Sequence, residues 1–453
     1  MDVINSDATR RIFPAHGVIG IIVLVVSWTL HFEKIEPFYR WFYCFAWWSY
    51  ILILDALTFY VKGNSLILNR RKEFLLMIPW SIFIWLIFEA ANLVLGNWYY
   101  INVPHSLFER WLGYALSYGT VLPGLFETTE FLDSAGFFKD SKTRKISLSS
   151  PGLLFMVIFG IFSLASSLLL PHYCFSLIWV GFIFLFEPLN YLFGGRSLLR
   201  DLEKGRPGKI YLLLMAGLIC GFLWELWNFW ALAKWVYTVP FFERMKGFEM
   251  PFLGFLGFPP FTIESYVMYN FISLFRFQRG WEQSSRRASE ENTRPLMIVL
   301  TTILMLSFFV LVFREIDRKT VDSYEPSLAD AYWIPTYYLA ELPRIGVADL
   351  EDLLSKTREK REREELALRL LIPKEELLGW IDRAELAQLK GIGIENLRLL
   401  EGAGIHSVSS LADEDLEKLE EKMRLSSPSD RIPKKAKLRI WIREARRKVS
   451  GES

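Results

Sequence analysis

Six carboxylates stand inside long apolar runs: Asp55, Glu89, Glu127, Glu187, Glu225 and Glu264. A carboxylate in hydrocarbon is costly, so each must face protein or a wet cavity rather than lipid tails. The six form two sets at nearly constant offset: 132 residues from Asp55 to Glu187, 136 from Glu89 to Glu225 and 137 from Glu127 to Glu264. The surrounding text repeats with them. WWSYILILDALTFYVKGNSLI (47–67) is echoed by WVGFIFLFEPLNYLFGGRSLL (179–199), IFEAANLVLGNWYYINVP (87–104) by LWELWNFWALAKWVYTVP (223–240), and LPGLFE (122–127) by PPFTIE (259–264).

The spacing suggests what these groups could do. Glu89 and Asn92, like Glu225 and Asn228, are three residues apart and share one helix face. Glu127 follows Pro123 by four residues and Glu264 follows Pro260 by the same interval, so a freed carbonyl can sit near each carboxylate. Tyr118, Trp224, Trp227, Tyr266 and Tyr269 are candidate lining residues. One reading is a proton relay, a cation site or a pocket for a lipid or isoprenoid head, with Asp55, Glu89, Asn92, Glu127, Glu187, Glu225, Asn228 and Glu264 as ligand-binding residues. In its catalytic form Glu89, Glu127, Glu225 and Glu264 are the acid–base candidates. The other reading is structural: a protonated Glu bonds Asn or a carbonyl across a helix pair and locks the fold.

Reactive partners are missing. His16, His31, His105 and His172 fall near the ends of apolar runs without metal-ligand spacing, and there is no His-Glu-x-x-His, Gly-x-Ser-x-Gly or Asp-rich diphosphate motif. No metal and no cofactor is expected. The balance therefore falls on binding or structure rather than catalysis.

The elements that must hold these residues are membrane spans. The 453 residues are 52% hydrophobic, with 37 Phe and 17 Trp, a load that excludes an ordinary soluble globule. Apolar runs at 12–31, 41–61, 74–98, 109–132, 151–170, 174–194, 210–236, 250–274 and 296–313 predict nine spans. The first follows Arg10 and Arg11 but lacks a small-x-small cleavage site, and reads as a retained span. Cys44, Cys174 and Cys220 all lie in apolar runs, which excludes a disulfide framework. Lys and Arg crowd alternate connectors (62–72, 139–145, 196–209 and 276–294) and are sparse in the others. That asymmetry places the amino terminus in the cytoplasm of a multi-pass cytoplasmic-membrane protein, and an odd span count places the C-terminal domain outside.

The predicted architecture is all-α, a duplicated four-helix transmembrane unit in 4+4+1 order. Repeat one covers 1–135, repeat two 136–275, a basic loop and ninth span 276–313, a linker 314–340 and a soluble domain 341–453. Four spans per copy relate the copies by a pseudo-twofold along the membrane normal. Trp98, Tyr99, Tyr100, Trp235 and Tyr237 read as an interfacial belt. Gly217 and Gly221 read as a helix-packing seam.

The tail carries 23 basic and 26 acidic residues between 321 and 453. In LAQLKGIGIENLRLLEGAGIHSVSSL (386–411) a helix ends at Lys390, Gly391-Ile392-Gly393 turns tightly, and a second helix carries Leu397 and Leu400 inward. Ser410 and Asp413 are cap candidates for the next helix. LPRIGVADLEDLL reads as a degenerate first copy, and IPKKAKLRIWIREARRK (432–448) as a basic helix with Trp441. GIGIENLRLLEGAGI, LLGWIDRAEL and IWIREAR together resemble a tandem helix-hairpin-helix domain family of unknown function, over about 340–448. The resemblance implies a phosphate grip at Lys390, Gly391 and Gly393, which Glu395 and Glu401 oppose. A tail of net negative charge is a poor nucleic-acid binder. Its expected partners are the bilayer, a protein docked on this domain, or the acidic run at 413–421 meeting the basic end.

Overall fold

The computed structural model describes residues 12–239, 246–276, 281–282, 295–426 and 432–451. Arg10, Arg11, Arg279, Arg286, Arg287, Arg294 and Arg431 lie outside the described residues. The chain is almost entirely helical and divides into two units, one of Met1–Asn97, Trp111–Leu232 and Val239–Asp317, the other of Trp98–Arg110, Ala233–Thr238 and Arg318–Ser453.

The first unit contains α1 (Ala15–Phe32), α2 (Phe38–Lys62), α3 (Leu66–Asn69), α4 (Arg71–Leu95), α5 (Leu107–Tyr118) from Trp111 onward, α6 (Val121–Ser134) and α7 (Ser150–Leu169). Next in chain order are α8 (Pro171–Cys174), α9 (Ile178–Leu192), α10 (Leu198–Glu203), α11 (Gly208–Trp230), α12 (Phe258–Leu274) and α13 (Pro295–Lys319). Among the described residues, seven helices are long and apolar enough to cross a membrane: α1, α2, α4, α7, the run Pro171–Leu192, α11 and Leu296–Lys319. Their outer faces expose Phe155, Ile158, Leu304 and similar side chains, as lipid contact requires.

Expected spans four and eight differ from the rest, because each is broken. The run 109–132 divides into α5 and α6 at Gly119-Thr120. Ser81 of α4 spans this break: its Oγ donates to Tyr118 O at 2.6 Å and accepts from Leu122 N at 3.0 Å. A side chain inserted into the backbone ladder is a standard cause of such a kink. The run 250–274 opens as a two-residue strand and a 3-10 turn (Phe252–Gly257) before α12, whose first turn holds Pro259 and Pro260.

Helix pairing recurs along the chain. α1 packs on α2 as α7 packs on α9; α2 packs on α6 as α9 packs on α12; α4 packs on α6 as α11 packs on α12. The approach of α1 to α2 depends on Gly17, where a Cβ would come within 2.3 Å of Ala56 Cβ. Gly217 and Gly221 do form a packing seam, against Phe258 and Pro259 at the start of α12.

The second unit starts from two loops. β1 (Trp98–Ile101) pairs antiparallel with β2 (Lys234–Tyr237), Trp98 opposite Tyr237. Residues 320–325 run parallel along the other side of β1, with Tyr100 N donating to Thr320 O and Asp322 N to Tyr100 O, both at 2.8 Å. Trp98, Tyr99 and Tyr100, read as an interfacial belt, are therefore buried strand residues. Beyond them come α14 (Thr336–Glu341), α15 (Leu350–Ser355), α16 (Lys360–Leu370), α17 (Lys374–Ala387), α18 (Gly393–Gly402), α19 (Val408–Ala412), α20 (Leu416–Ser426) and α21 (Lys435–Ser450). One hydrophobic core joins them, from Leu328 and Ile334 to Leu397, Leu400 and Trp441. The core thus takes in part of the segment read as a linker.

Candidate functional site

Asp55 lies in the middle of α2 and is fully buried. After α2 the chain turns at Gly63, in left-handed conformation, and re-enters as α3, whose cap is Ser65. Asp55 Oδ2 accepts from Ser65 Oγ at 2.8 Å and Oδ1 from Ile67 N at 2.7 Å. The carboxylate thereby satisfies a first-turn amide of α3 that has no partner within the helix and holds the capping hydroxyl. Glu187 repeats this: Oε1 accepts from Ser197 Oγ at 2.6 Å and from Leu199 N at 2.9 Å, while Ser197 caps α10. The intervals from carboxylate to serine and to amide are the same in both halves, ten and twelve residues.

The other matched carboxylates are held differently. Glu264 is buried in α12 and accepts from Phe182 N of α9 at 2.8 Å. Glu127 is equally buried in α6, yet neither carboxylate oxygen has a hydrogen-bond partner among the described residues. Its charged neighbours are Asp55, Glu130 and Arg70, with Asp55 close enough for a carboxyl–carboxyl hydrogen bond once one of them is protonated. His16 of α1 adds to this corner, its Nε2 2.9 Å from Asp55 Oδ2.

Glu89 accepts from Trp85 Nε1 at 2.9 Å, and Asn92 Oδ1 accepts from Asn97 N at 2.8 Å, closing the end of α4 after Gly96. Glu225 and Asn228 are fully buried in α11. Trp47, Trp85, Trp224 and Trp227 pack edge to face or tilted in the same interior, with centroids 4.8–6.0 Å apart for the pairs in contact. Of the anticipated lining, Tyr266 and Tyr269 turn instead to other carboxylates: Tyr266 donates to Glu282 of a connector and Tyr269 to Glu73 in the first turn of α4.

Lys62, Arg70, Arg196 and Lys209 stood out in the sequence only as basic connector residues, and their carboxylate partners Glu130 and Glu282 carried no pattern of their own. Arg70 bridges Glu130 and the main-chain oxygen of Trp281, and Lys62 also meets Glu130. Glu282 accepts from Tyr266 and is paired by Lys209 at 2.7 Å and Arg196 at 3.1 Å. Burial alone would raise its pKa, but these two cations and the Tyr266 hydroxyl outweigh that and hold it down at about 2. Trp281 stacks on Phe126 with centroids 4.9 Å apart. Residues 281–282 thus tie together side chains from both sequence halves.

In the C-terminal part the Gly391-Ile392-Gly393 turn forms as expected, both glycines at positive φ, with α18 starting at Gly393. The turn is occupied by its own chain. Gly391 O accepts from Trp441 Nε1 at 3.0 Å and from Asn396 Nδ2 at 3.3 Å, and Asn396 also donates to Asp322 O. A Cβ at Gly393 would meet Ser323 Cβ at 2.5 Å. Lys390, beside them, is half-buried. Lys437 pairs with Asp322 and lies 4.5 Å from the centre of the Tyr99 ring. Burial raises the pKa of Asp322, with Lys437 opposing.

Two cap assignments change: Ser407 caps α19 with Ser410 as its partner three residues on, and Asp415 rather than Asp413 receives Glu417 N and Lys418 N. The basic end does meet the acidic run, through Lys435–Glu420 at 3.0 Å and Arg446 on the main-chain oxygens of Ala412 and Glu414. Among the described residues no group of His, Cys, Asp and Glu is arranged to hold a metal ion.

No curated protein and no solved structure matches the chain. Residues 334–448 match a domain of unknown function (DUF4332), so that segment is similar to an uncharacterised family and the remaining residues rest on their own geometry.

Proposed function

We propose that this is a non-catalytic multi-pass membrane protein that anchors and presents an assembly domain. Its membrane part is a duplicated 4+4+1 bundle, and its C-terminal part is a tandem helix-hairpin-helix module that binds a protein partner. The observation that carries this reading is the sheet in which β1, β2 and residues 320–325 pair. β1 follows α4 and β2 follows α11, at matched positions of the two repeats. The C-terminal segment therefore joins the Lys- and Arg-poor connectors, which supports nine crossings and a C-terminal domain on the outer side. Ile440 of α21 packs with Tyr99, Ile101 and Val236, so the module is held by both loops rather than tethered by one flexible linker.

The same contacts weigh against nucleic acid. A phosphate grip needs free turn amides and nearby cations, and here the turn packs on Ser323 and Trp441 while Lys437 is engaged by Asp322. The matched Asp55 and Glu187 caps support a structural rather than catalytic role for those two carboxylates.

The test uses the full chain in native membranes. Cysteines at Tyr100→Cys and Val321→Cys, opposed in the sheet, should form a disulfide on mild oxidation, and chemical crosslinking should give complexes that depend on 334–448. No disulfide, or the same complexes from a chain ending after residue 319, would overturn the reading.

A further inference from the structure

We propose that Asp55 and Glu127 form a buried proton-binding pair, one proton shared between two carboxylates, with His16 as the group that exchanges it. Glu127 is wholly buried and both its carboxylate oxygens lack a hydrogen-bond partner among the described residues, whereas each of the other matched carboxylates has a polar interaction of its own. Its near neighbour is a second buried carboxylate, Asp55. Two carboxylates side by side away from water repel when both are ionised, so the site favours one proton between them, or a cation.

The surroundings select the proton. The charged and titratable groups facing the pair are His16 from α1, Lys62 from α2, Arg70 at the start of α4, and Glu130 from α6; Cys220 of α11 reaches Thr128 beside Glu127. Lys62 and Arg70 are both committed to Glu130 and, among the described residues, leave Asp55 and Glu127 without a lysine or arginine of their own. The described residues hold no metal-ligating cluster. Asp55 already accepts from Ser65 and Ile67, so a proton on Glu127 directed at Asp55 completes both carboxyls.

His16 provides the route. Its Nε2 is buried 2.9 Å from Asp55 Oδ2, close but not aligned as a hydrogen bond, and its side chain is 17% exposed, so the ring lies between the pair and the surface of the unit. The second half is an internal control. Glu264 accepts from Phe182 N and Glu187 from Ser197 and Leu199, and the position aligned with His16 falls at the Pro151-Gly152 start of α7. The same duplicated frame therefore carries a carboxyl pair with a histidine in one copy only.

Infrared difference spectroscopy of the purified full chain in lipid, titrated from acid to alkaline pH, tests the site. The wild type should show a protonated-carboxyl band at neutral pH that Glu127→Gln removes and Glu264→Gln leaves in place. His16→Gln should keep the band but slow its exchange into deuterium by roughly a hundredfold, the low end of what a positioned proton-transfer group contributes. A band that persists in Glu127→Gln overturns the proposal, as does one displaced by sodium at constant pH, which would make the pair a cation site. Should Glu127→Gln not fold, the wild type alone still decides: no protonated-carboxyl band at neutral pH refutes the pair. Unchanged exchange in His16→Gln refutes the route.

Discussion

The corner around Asp55 and the corner around Glu187 have the same backbone plan and different chemistry. In both, an apolar helix ends, the chain re-enters as a short helix, and a buried carboxylate receives a serine hydroxyl and an amide from that helix's first turn. In the first half a histidine and a second carboxylate crowd the acceptor. In the second half Glu187 Oε2 lacks a hydrogen-bond partner among the described residues, and Glu264 lies elsewhere, on Phe182 N. The two corners share the spacing that makes the cap, ten and twelve residues from carboxylate to donors, and differ in the neighbours that crowd it. At both corners the buried carboxylate serves as a helix cap, and among the described residues the first adds a histidine and a second carboxylate.

The largest effect should come from deleting the caps. Glu187→Ala strands Ser197 Oγ–H and Leu199 N–H in the interior, at a cost of about 3 kcal/mol, given the penalty for buried unsatisfied donors. Asp55→Ala strands the equivalent pair but also relieves its contact with Glu127, so its loss should be smaller by about 1–2 kcal/mol. Denaturant titration of the two variants in the same detergent measures the difference. Equal losses would mean that the two corners are energetically alike and that the crowding in the first half is harmless.

Next in size is the latch at Glu282, which engages Arg196 and Lys209 from the second half while its neighbour Trp281 engages Arg70 from the first. Its folded pKa of about 2 lies below the ordinary carboxylate value. A depressed carboxylate adds stability above its unfolded pKa and loses it as pH falls through the folded one. The contribution, on the order of 3 kcal/mol before solvent screening of a partly exposed group is discounted, should therefore be intact above about pH 4.5 and fade toward pH 2. Glu282→Gln should flatten that segment of the melting-temperature profile. An unchanged slope would show that the two halves are joined without this ion pair.

Much of this was legible in the residues. The buried carboxylates and the Gly391–Gly393 turn are local patterns, because a charge in an apolar run and a glycine pair between two helices each need only a few residues to be seen. Ser65 and Ser197 were inside the repeated text yet stood out in no way, since a serine reads as a partner only when the chain is known to fold back ten residues later. The breaks in spans four and eight were hidden for a similar reason: hydropathy records composition, whereas the first break depends on Ser81 arriving from another helix. The pairing of β1 with β2, 136 residues apart in sequence, has no local signal beyond aromatics that read equally well as a membrane belt. Glu127 was singled out with its counterpart Glu264, and only the folded chain separates an unpartnered carboxylate from a capped one.

The serines give the finest test of the comparison. Ser65→Ala removes a donor to Asp55, which keeps Ile67 N and the neighbouring His16, and weakens a long cap contact to Leu68 N at 3.4 Å. Ser197→Ala leaves Glu187 with main-chain donation from Leu199 N and takes the cap from Arg200 N at 3.3 Å. Lost caps and lost hydrogen bonds to charged groups each cost about 1–2 kcal/mol, and partial compensation by His16 should hold the first loss near 1 and leave the second near 2. The difference should narrow in a His16→Gln background, because the compensation then disappears from the first half alone. If the two serine variants already melt together with His16 present, the histidine contributes nothing to Asp55, and the first corner would be a cap like the second.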